Sequence, residues 1–472
     1  MERHFDSHSG RSAARETARG RRLEDALVAA FPDATDAARL EIEFVRAPGR
    51  VNLIGDHTDY NDGLVLPVAI ELDTWIAVRP RRDGLVRIAS PQSPERAEFW
   101  IDELVVGGMG VAGSSAGARP LGARWSDHVA GMAWSLREAA LPVRGFDGVV
   151  DSAIPGGAGL GSVAALELVS AMALLAGERL VAASSLAALA QRAERDFLGV
   201  DGGIVDQFAS AAGRAGRAIL LDCRSLESRY VALPPGVRVV VCYTGEPAEQ
   251  PKAHGPRDLP AAPETRAAPE TGAAPETGAA PETGAAPETG AAPDAPDAPD
   301  APRSHESILR ERRAECGRAV ALLAEEMPSV ASLRDLDSAT LRRHRRLLSE
   351  TVARRAEHVV TENERVGAAA AALGAGDLAE IGRLFAASHE SLRYLFEVSS
   401  PALDAMVEIA LAVPGVVAAR MTGTGFGGCT VNLVRDAAVP ALQRAVANEY
   451  PRRTGLTGRV YTVAVVSGAG PA

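Results

Sequence analysis

The sequence predicts two domains of mixed strands and helices, on three observations. The chain has 472 residues, more than a single core usually organises. Short apolar runs with strand patterning alternate with longer runs of helical spacing. Two stretches dense in polar residues or glycine, 47–60 and 154–162, fall at junctions between such runs, where a chain builds sites rather than cores. With 46% hydrophobic residues, a sizeable interior is available.

Taken in order, residues 1–22 hold several arginines but no apolar stretch, so they read as a flexible tail and not a secretory signal. A helix is expected over 23–31, ended by Pro32. Strands follow over 42–45, 64–70, 75–78 and 85–88, then a glycine-rich loop over 107–117. Helical spacing returns over 125–136, a strand over 146–150, and helices over 163–176 and 182–195. Strands are expected over 218–223 and 237–243. Five Ala-Pro-Glu-Thr units then recur every six residues from 262 to 289, followed by three Pro-Asp-Ala units. Proline alternating with small and acidic residues offers no apolar face to bury, which predicts an extended, solvated tether. Helices resume over 306–326, 338–349, 363–372 and 378–388, and a glycine turn within 420–434 leads into a strand.

The formal net charge is −11, but residues 261–302 hold five Glu, three Asp and one Arg, which leaves only −4 elsewhere. Nearly neutral and without a basic stripe, the remainder is not expected to bind nucleic acid. Lys252 is the only lysine, so arginine, metal or backbone amides must neutralise any bound phosphate. Cys223, Cys242, Cys316 and Cys429 are scattered without a C-x-x-C pair, which argues against a zinc site or disulfide scaffold and suits a reducing cytoplasm. The most apolar helix, 163–176, contains Glu167 and is shorter than the roughly 20 residues a membrane span needs, so no membrane association is expected.

Residues 47–60 read A-P-G-R-V-N-L-I-G-D-H-T-D-Y. Strand alternation puts Arg50 and Asn52 on the face opposite Val51 and Leu53. Gly55 turns the chain, and Asp56, His57 and Asp59 follow in a turn-rich segment where they can converge on one small ligand. Carboxylates accept pairs of hydroxyl hydrogens, which suits a polyol. The second stretch, I-P-G-G-A-G-L-G-S, opens the helix over 163–176. A glycine loop at a helix start presents backbone N–H groups to an anion, and the helix dipole adds attraction. Gly156, Gly157, Ala158, Gly159, Leu160, Gly161 and Ser162 are therefore the candidate phosphate cradle. A P-loop would need a lysine that is absent here, and a dinucleotide fold would need a strand with an acidic residue further on, where this chain shows more helix. In a third segment, G-V-D-G-G-I-V-D-Q-F, Asp206 lies beyond a double glycine and could be a helix N-cap or an active carboxylate.

The run A-P-G-R-V-N-L-I-G-D-H-T-D-Y resembles the signature of galactokinases, within the GHMP superfamily of small-molecule kinases. G-V-D-G-G-I-V-D-Q-F, H-V-V-T-E-N-E-R-V, S-H-E-S-L-R-Y-L-F-E-V-S-S and R-M-T-G-T-G-F-G-G-C-T-V-N-L-V resemble further blocks in the same order. The resemblance implies an α/β plus α+β, two-domain fold with the active site between the domains. It divides the chain into the tail, an N-terminal domain over 23–215, and a C-terminal domain over 216–472 interrupted by a disordered repeat at 255–303. By the same resemblance Asp206 takes the proton from a sugar's anomeric hydroxyl, and Arg50 steadies the charge between that hydroxyl and ATP. Asp56, His57, Asp59 and Gly203 would bind the sugar, most expectedly D-galactose, while Glu194 and Ser162 would hold Mg2+. A cytoplasmic monomer acting on sugar and ATP is implied. Two departures stand out. Val163 replaces the serine that would coordinate magnesium, and Leu309 replaces a tyrosine that would contact sugar. These leave two alternatives, a catalytically weak sugar and ATP sensor, or a kinase for N-acetylgalactosamine or arabinose.

Overall fold

The computed structural model describes residues 17–32, 42–106, 108–109, 124–175, 181–200, 202–247 and 305–472. Most of the expected tail, all of the glycine-rich loop over 107–117 but Gly108 and Met109, and the repeat over 255–303 lie outside them. The first helix, α1 (Ala18–Ala30), begins earlier than the sequence predicts, because the Thr17 hydroxyl accepts a hydrogen bond from Gly20 N and caps it. Arg19 then ties that turn to Asp73 and Asp151, at 2.6 and 2.8 Å. Residues 18–22, placed in the flexible tail by sequence, are therefore helical and anchored. Leu23, Leu27 and Phe31 pack on Phe44, Ala77 and Val149.

The first half is built on strands β1 (Glu43–Asn52), β2 (Leu64–Val65), β3 (Pro67–Pro80), β4 (Leu85–Ser90), β5 (Ser93–Trp100), the short hairpin β6 (Leu104–Val105) and β7 (Gly108–Met109), and β8 (Phe146–Ser152). What reads as one strand over 64–70 is two. β2 joins a different sheet from β3, and Leu66, the residue between them, pairs its backbone with Leu53 and Ile54. A six-stranded sheet runs β15-β1-β3-β8-β4-β5, where β15 is Gly470–Pro471, and all its pairs are antiparallel except β4 with β8. Helices α2 (Trp125–Glu138) and α3 (Ser162–Leu174) cover one face, α3 lying on β1 and β3. Of the next two, α4 (Ala183–Arg192) packs on α2 and α3, and α5 (Val205–Ala212) lies on β1 and β3. The expected helix over 182–195 ends instead in a widened π turn, Ala193–Phe197.

Strand β9 (Arg217–Asp222) pairs with β2 and β10 (Ser228–Ala232) with β9, so residues that sequence assigns to the second half complete a sheet with a strand of the first. The second half has its own sheet, ordered β12-β13-β11-β14, from β11 (Val237–Tyr243), β12 (Val416–Thr422), β13 (Cys429–Arg435) and β14 (Arg459–Val463). Its helices are α6 (His305–Glu326), α7 (Ser338–His344), α8 (Glu350–Ala375), α9 (Leu378–Glu390), α10 (Pro401–Leu411) and α11 (Val439–Thr454). The run over 338–349 is cut short because Ser349 caps the next helix, its hydroxyl accepting from Val352 N. Helix α8 is far longer than the expected 363–372 and packs on α6 and α9. The overall arrangement is the expected α/β plus α+β fold in two halves.

Residues after β14 return to the first half. Val466 N donates to Ala69 O on β3, Ala469 N to Ser210 O on α5, and Ala472 N to Phe44 O on β1. The end of the chain thus stitches together the elements that carry Arg50 and Asp206.

Candidate active site

Arg50 projects from the end of β1, and Asp206 from the first turn of α5. The structure brings them together: Arg50 Nη2 lies 2.6 Å from Asp206 Oδ1 and donates to Oδ2 at 2.7 Å. The other arm of the guanidinium donates to Gly159 O at 2.6 Å, and Arg50 N donates to Leu160 O at 2.9 Å. The pair therefore abuts the glycine loop. Within that loop Gly157, Gly159 and Gly161 adopt left-handed backbone with φ near 70°, and Gly161 is the N-cap of α3. Ser162 is the first helical residue. Four free N–H groups at a helix start beside a guanidinium make an anion site.

Asp56, His57 and Asp59 lie in the turn after β1. His57 has a left-handed backbone, φ 66°, which turns its ring inward against Phe396, at 4.7 Å between ring centres. Its Nδ1 is 3.1 Å from the Tyr60 hydroxyl, while Nε2 is buried with no hydrogen-bond partner. Burial lowers its pKa to about 4, so the ring is neutral and its unmatched nitrogen is open to a ligand hydroxyl. Asp59 has its pKa raised, first by burial and also by the charges of Asp206 and Asp56, against Arg313 and the Tyr60 backbone N–H. Hydroxyl donors from a ligand would relieve that carboxylate. Gly203 faces it so closely that a Cβ there would stand 1.7 Å from Asp59 Oδ2.

Asp56 already has partners within the protein. Its Oδ2 pairs with Arg420 of β12, and its Oδ1 accepts from Asn52 Nδ2 and from Gly423 N, both at 3.1 Å. Its carboxylate is engaged by the protein itself. Arg420 is fully buried and also donates to Leu53 O at 3.1 Å. Helix α8 adds Glu362, which accepts from Gly55 N at 3.0 Å and from Ser388, and whose pKa falls to about 2. Burial is the largest influence on Glu362 and opposes that shift; the Arg365 and Arg420 charges overcome it. The His358 Nε2 contacts Asp56 O at 3.2 Å, and Asn363 Oδ1 accepts from Leu64 N at 2.8 Å. Sequence reasoning gave Arg420, Glu362 and His358 no role, although all lie in the quoted blocks; charged residues within an otherwise apolar helix or strand face were the available signal. Arg313 was missed too. It stands over the Tyr60 ring at 4.8 Å, one turn beyond Leu309 on the same face of α6, so this helix reaches the pocket through a cation.

The glycine turn 423–428 sits against the phosphate loop: a Cβ on Gly423 would lie 3.8 Å from Gly159 O. Glu194, on the π turn, is buried beside Glu167 of α3 and His128 of α2. Its pKa rises well above the carboxylate range, through burial first and then the Glu167 charge. Glu167 Oε2 is buried without a hydrogen-bond partner. Such an acidic donor set fits a divalent cation. Val163 is exposed on the first turn of α3 and offers only methyl groups.

Family models for the GHMP kinases N terminal domain and GHMP kinases C terminal match residues 127–214 and 369–452. Fold and family models thus define a small-molecule kinase of the GHMP class, a phosphotransferase with an alcohol acceptor and ATP as the phosphate source. The galactokinase galactose-binding signature matches residues 29–80, and the galactokinase of Roseiflexus sp. (strain RS-1) is 38% identical over 427 residues, 90% of this chain and 92% of that one. The chain belongs to the galactokinase family. Human galactokinase is 36% identical over 432 residues, covering 90% of this chain and 91% of that one. A Lactococcus lactis galactokinase complexed with galactose superposes with a TM-score of 0.75 at 30% identity, over 97% of this chain and all of that one. Mevalonate kinase from Methanococcus jannaschii, at a TM-score of 0.55 and 15% identity, shares the fold over 90% of this chain and 98% of its own.

Proposed function

We infer that this chain transfers the terminal phosphate of ATP to the anomeric hydroxyl of D-galactose, giving α-D-galactose 1-phosphate. The observation that carries the reading is the Arg50 and Asp206 pair at 2.6 Å against the glycine loop. Phosphoryl transfer asks a protein mainly for positioning and charge neutralisation. Asp206 accepts the proton of the attacking hydroxyl, and Arg50, swinging from Gly159 O, neutralises charge on the transferring phosphate. The backbone N–H groups of residues 156–162 hold the other phosphates. His57 and Asp59 take sugar hydroxyls, with Gly203 leaving them room; Asp56, already bound to Arg420, positions the loop more than it touches sugar. Mg2+ held through Glu194 and Ser162 would offset the nucleotide's charge. The reading is of a monomer in the cytoplasm, a compartment that four free cysteines suit.

Val163 and Leu309 favour two other readings, a sensor that binds without turnover and a kinase for a related sugar. An ADP-release assay with galactose, N-acetylgalactosamine, arabinose and glucose separates them. Turnover on galactose should exceed the others, and Asp206→Asn should lower kcat by about 10²–10⁴ with little change in either KM. Binding of sugar and nucleotide without ADP would select the sensor, and preference for another sugar would reassign the substrate.

A further inference from the structure

We propose that His128, Glu167 and Glu194 form a resident site for a divalent transition cation, filled without nucleotide. Three separate elements, α2, α3 and the π turn at 193–197, deliver one donor each, and the three donor atoms lie within 4.8 Å of one another. His128 Nδ1 is 3.1 Å from Glu167 Oε1, about the spacing of two neighbouring ligands on a common ion with bonds near 2.1 Å. A second observation points to a ligand: Glu167 Oε2 is enclosed with no hydrogen-bond partner, and so is the amide oxygen of Gln207 beside both carboxylates. Buried acceptors are rarely left so in pairs.

The groups acting most strongly on the two carboxylates are each other, Asp206, Gln207 and His128, with no guanidinium among them. Two buried acids in that setting either share a proton or hold a cation. The imidazole decides the class of ion. One imidazole with two carboxylates suits Mn2+, Co2+ or Zn2+, whereas an all-oxygen set suits Mg2+. This site shares only Glu194 with the expected nucleotide-bound magnesium, and it is independent of which sugar is phosphorylated. A cation there would neutralise the acids next to Asp206 before any substrate arrives.

The test uses the full chain, stripped with chelator and free of nucleotide, titrated with MnCl2 while free Mn2+ is followed by electron paramagnetic resonance. CoCl2 absorption reports the ligand field. One ion per chain should bind in the micromolar range, and His128→Gln and Glu167→Gln should each weaken it roughly tenfold or more. Ser162→Ala should leave it unchanged. No Mn2+ bound at about 1 mM, or His128→Gln binding like the wild type, would overturn the proposal in favour of a shared proton. If Glu167→Gln fails to fold, His128→Gln, at a partly exposed position, decides alone.

Discussion

At Gly203 there is room for a hydrogen and nothing larger, because the Asp59 carboxylate lies where a methyl would go. Gly203→Ala must push Asp59 aside, so kcat/KM for the sugar should fall roughly tenfold or more while the KM for ATP stays close to normal. Steady-state kinetics with each substrate varied in turn checks this, and an unchanged sugar KM would remove Asp59 from the sugar contacts. His358 offers a pH signature. Burial, helped by the charges of Arg365 and His57 and opposed by Glu362, lowers its pKa to about 3. An unfolded histidine gains its proton near pH 6.5, so below that the unfolded chain binds more protons than the folded one. The stabilisation is complete above pH 6.5 and is lost as pH falls from there toward 3. Between pH 6.5 and 5 the loss is about 2 kcal/mol. His358→Gln should therefore show a shallower fall of Tm over that range than the wild type.

Elements differ in how far local residues could announce them. The phosphate loop and the turn after β1 were readable, because glycine and clustered polar side chains mean something wherever they occur. Helix α8 was read only from 363, since 350–362 hold Arg354, Arg355, His358 and Glu362, which look like solvent-facing residues. Several are buried by pairing: Arg355 reaches Glu315 at 2.9 Å and Glu397 at 2.6 Å. Those partners lie some 40 residues away and leave no local trace. The fate of Asp56 was equally hidden, since Arg420 is 364 residues distant. The glycine turn joining β12 to β13 is the element most exposed to a single change. Gly425 sits at φ 88°, and a Cβ on it would stand 2.2 Å from Val398 O. Gly425→Ala should destabilise by about 2–4 kcal/mol, measured as a lower urea midpoint, and should weaken ATP binding because this turn backs the phosphate loop.

For the molecule as a whole, the two halves are joined through buried charge. Arg420→Met would leave the Asp56 carboxylate buried and unpaired beside Glu362, an error that costs about 3–5 kcal/mol. A chemical denaturation curve should show that loss, and Arg420→Met with Asp56→Asn should recover part of it. The return of residues 464–472 to β1, β3 and α5 has a consequence for biosynthesis. Translation delivers Arg50 and Asp206 long before the segment that clasps their supports. On the ribosome the first sheet must wait, one edge unclosed, until residues 464–472 emerge, so the supports of Arg50 and Asp206 should be clasped late in synthesis.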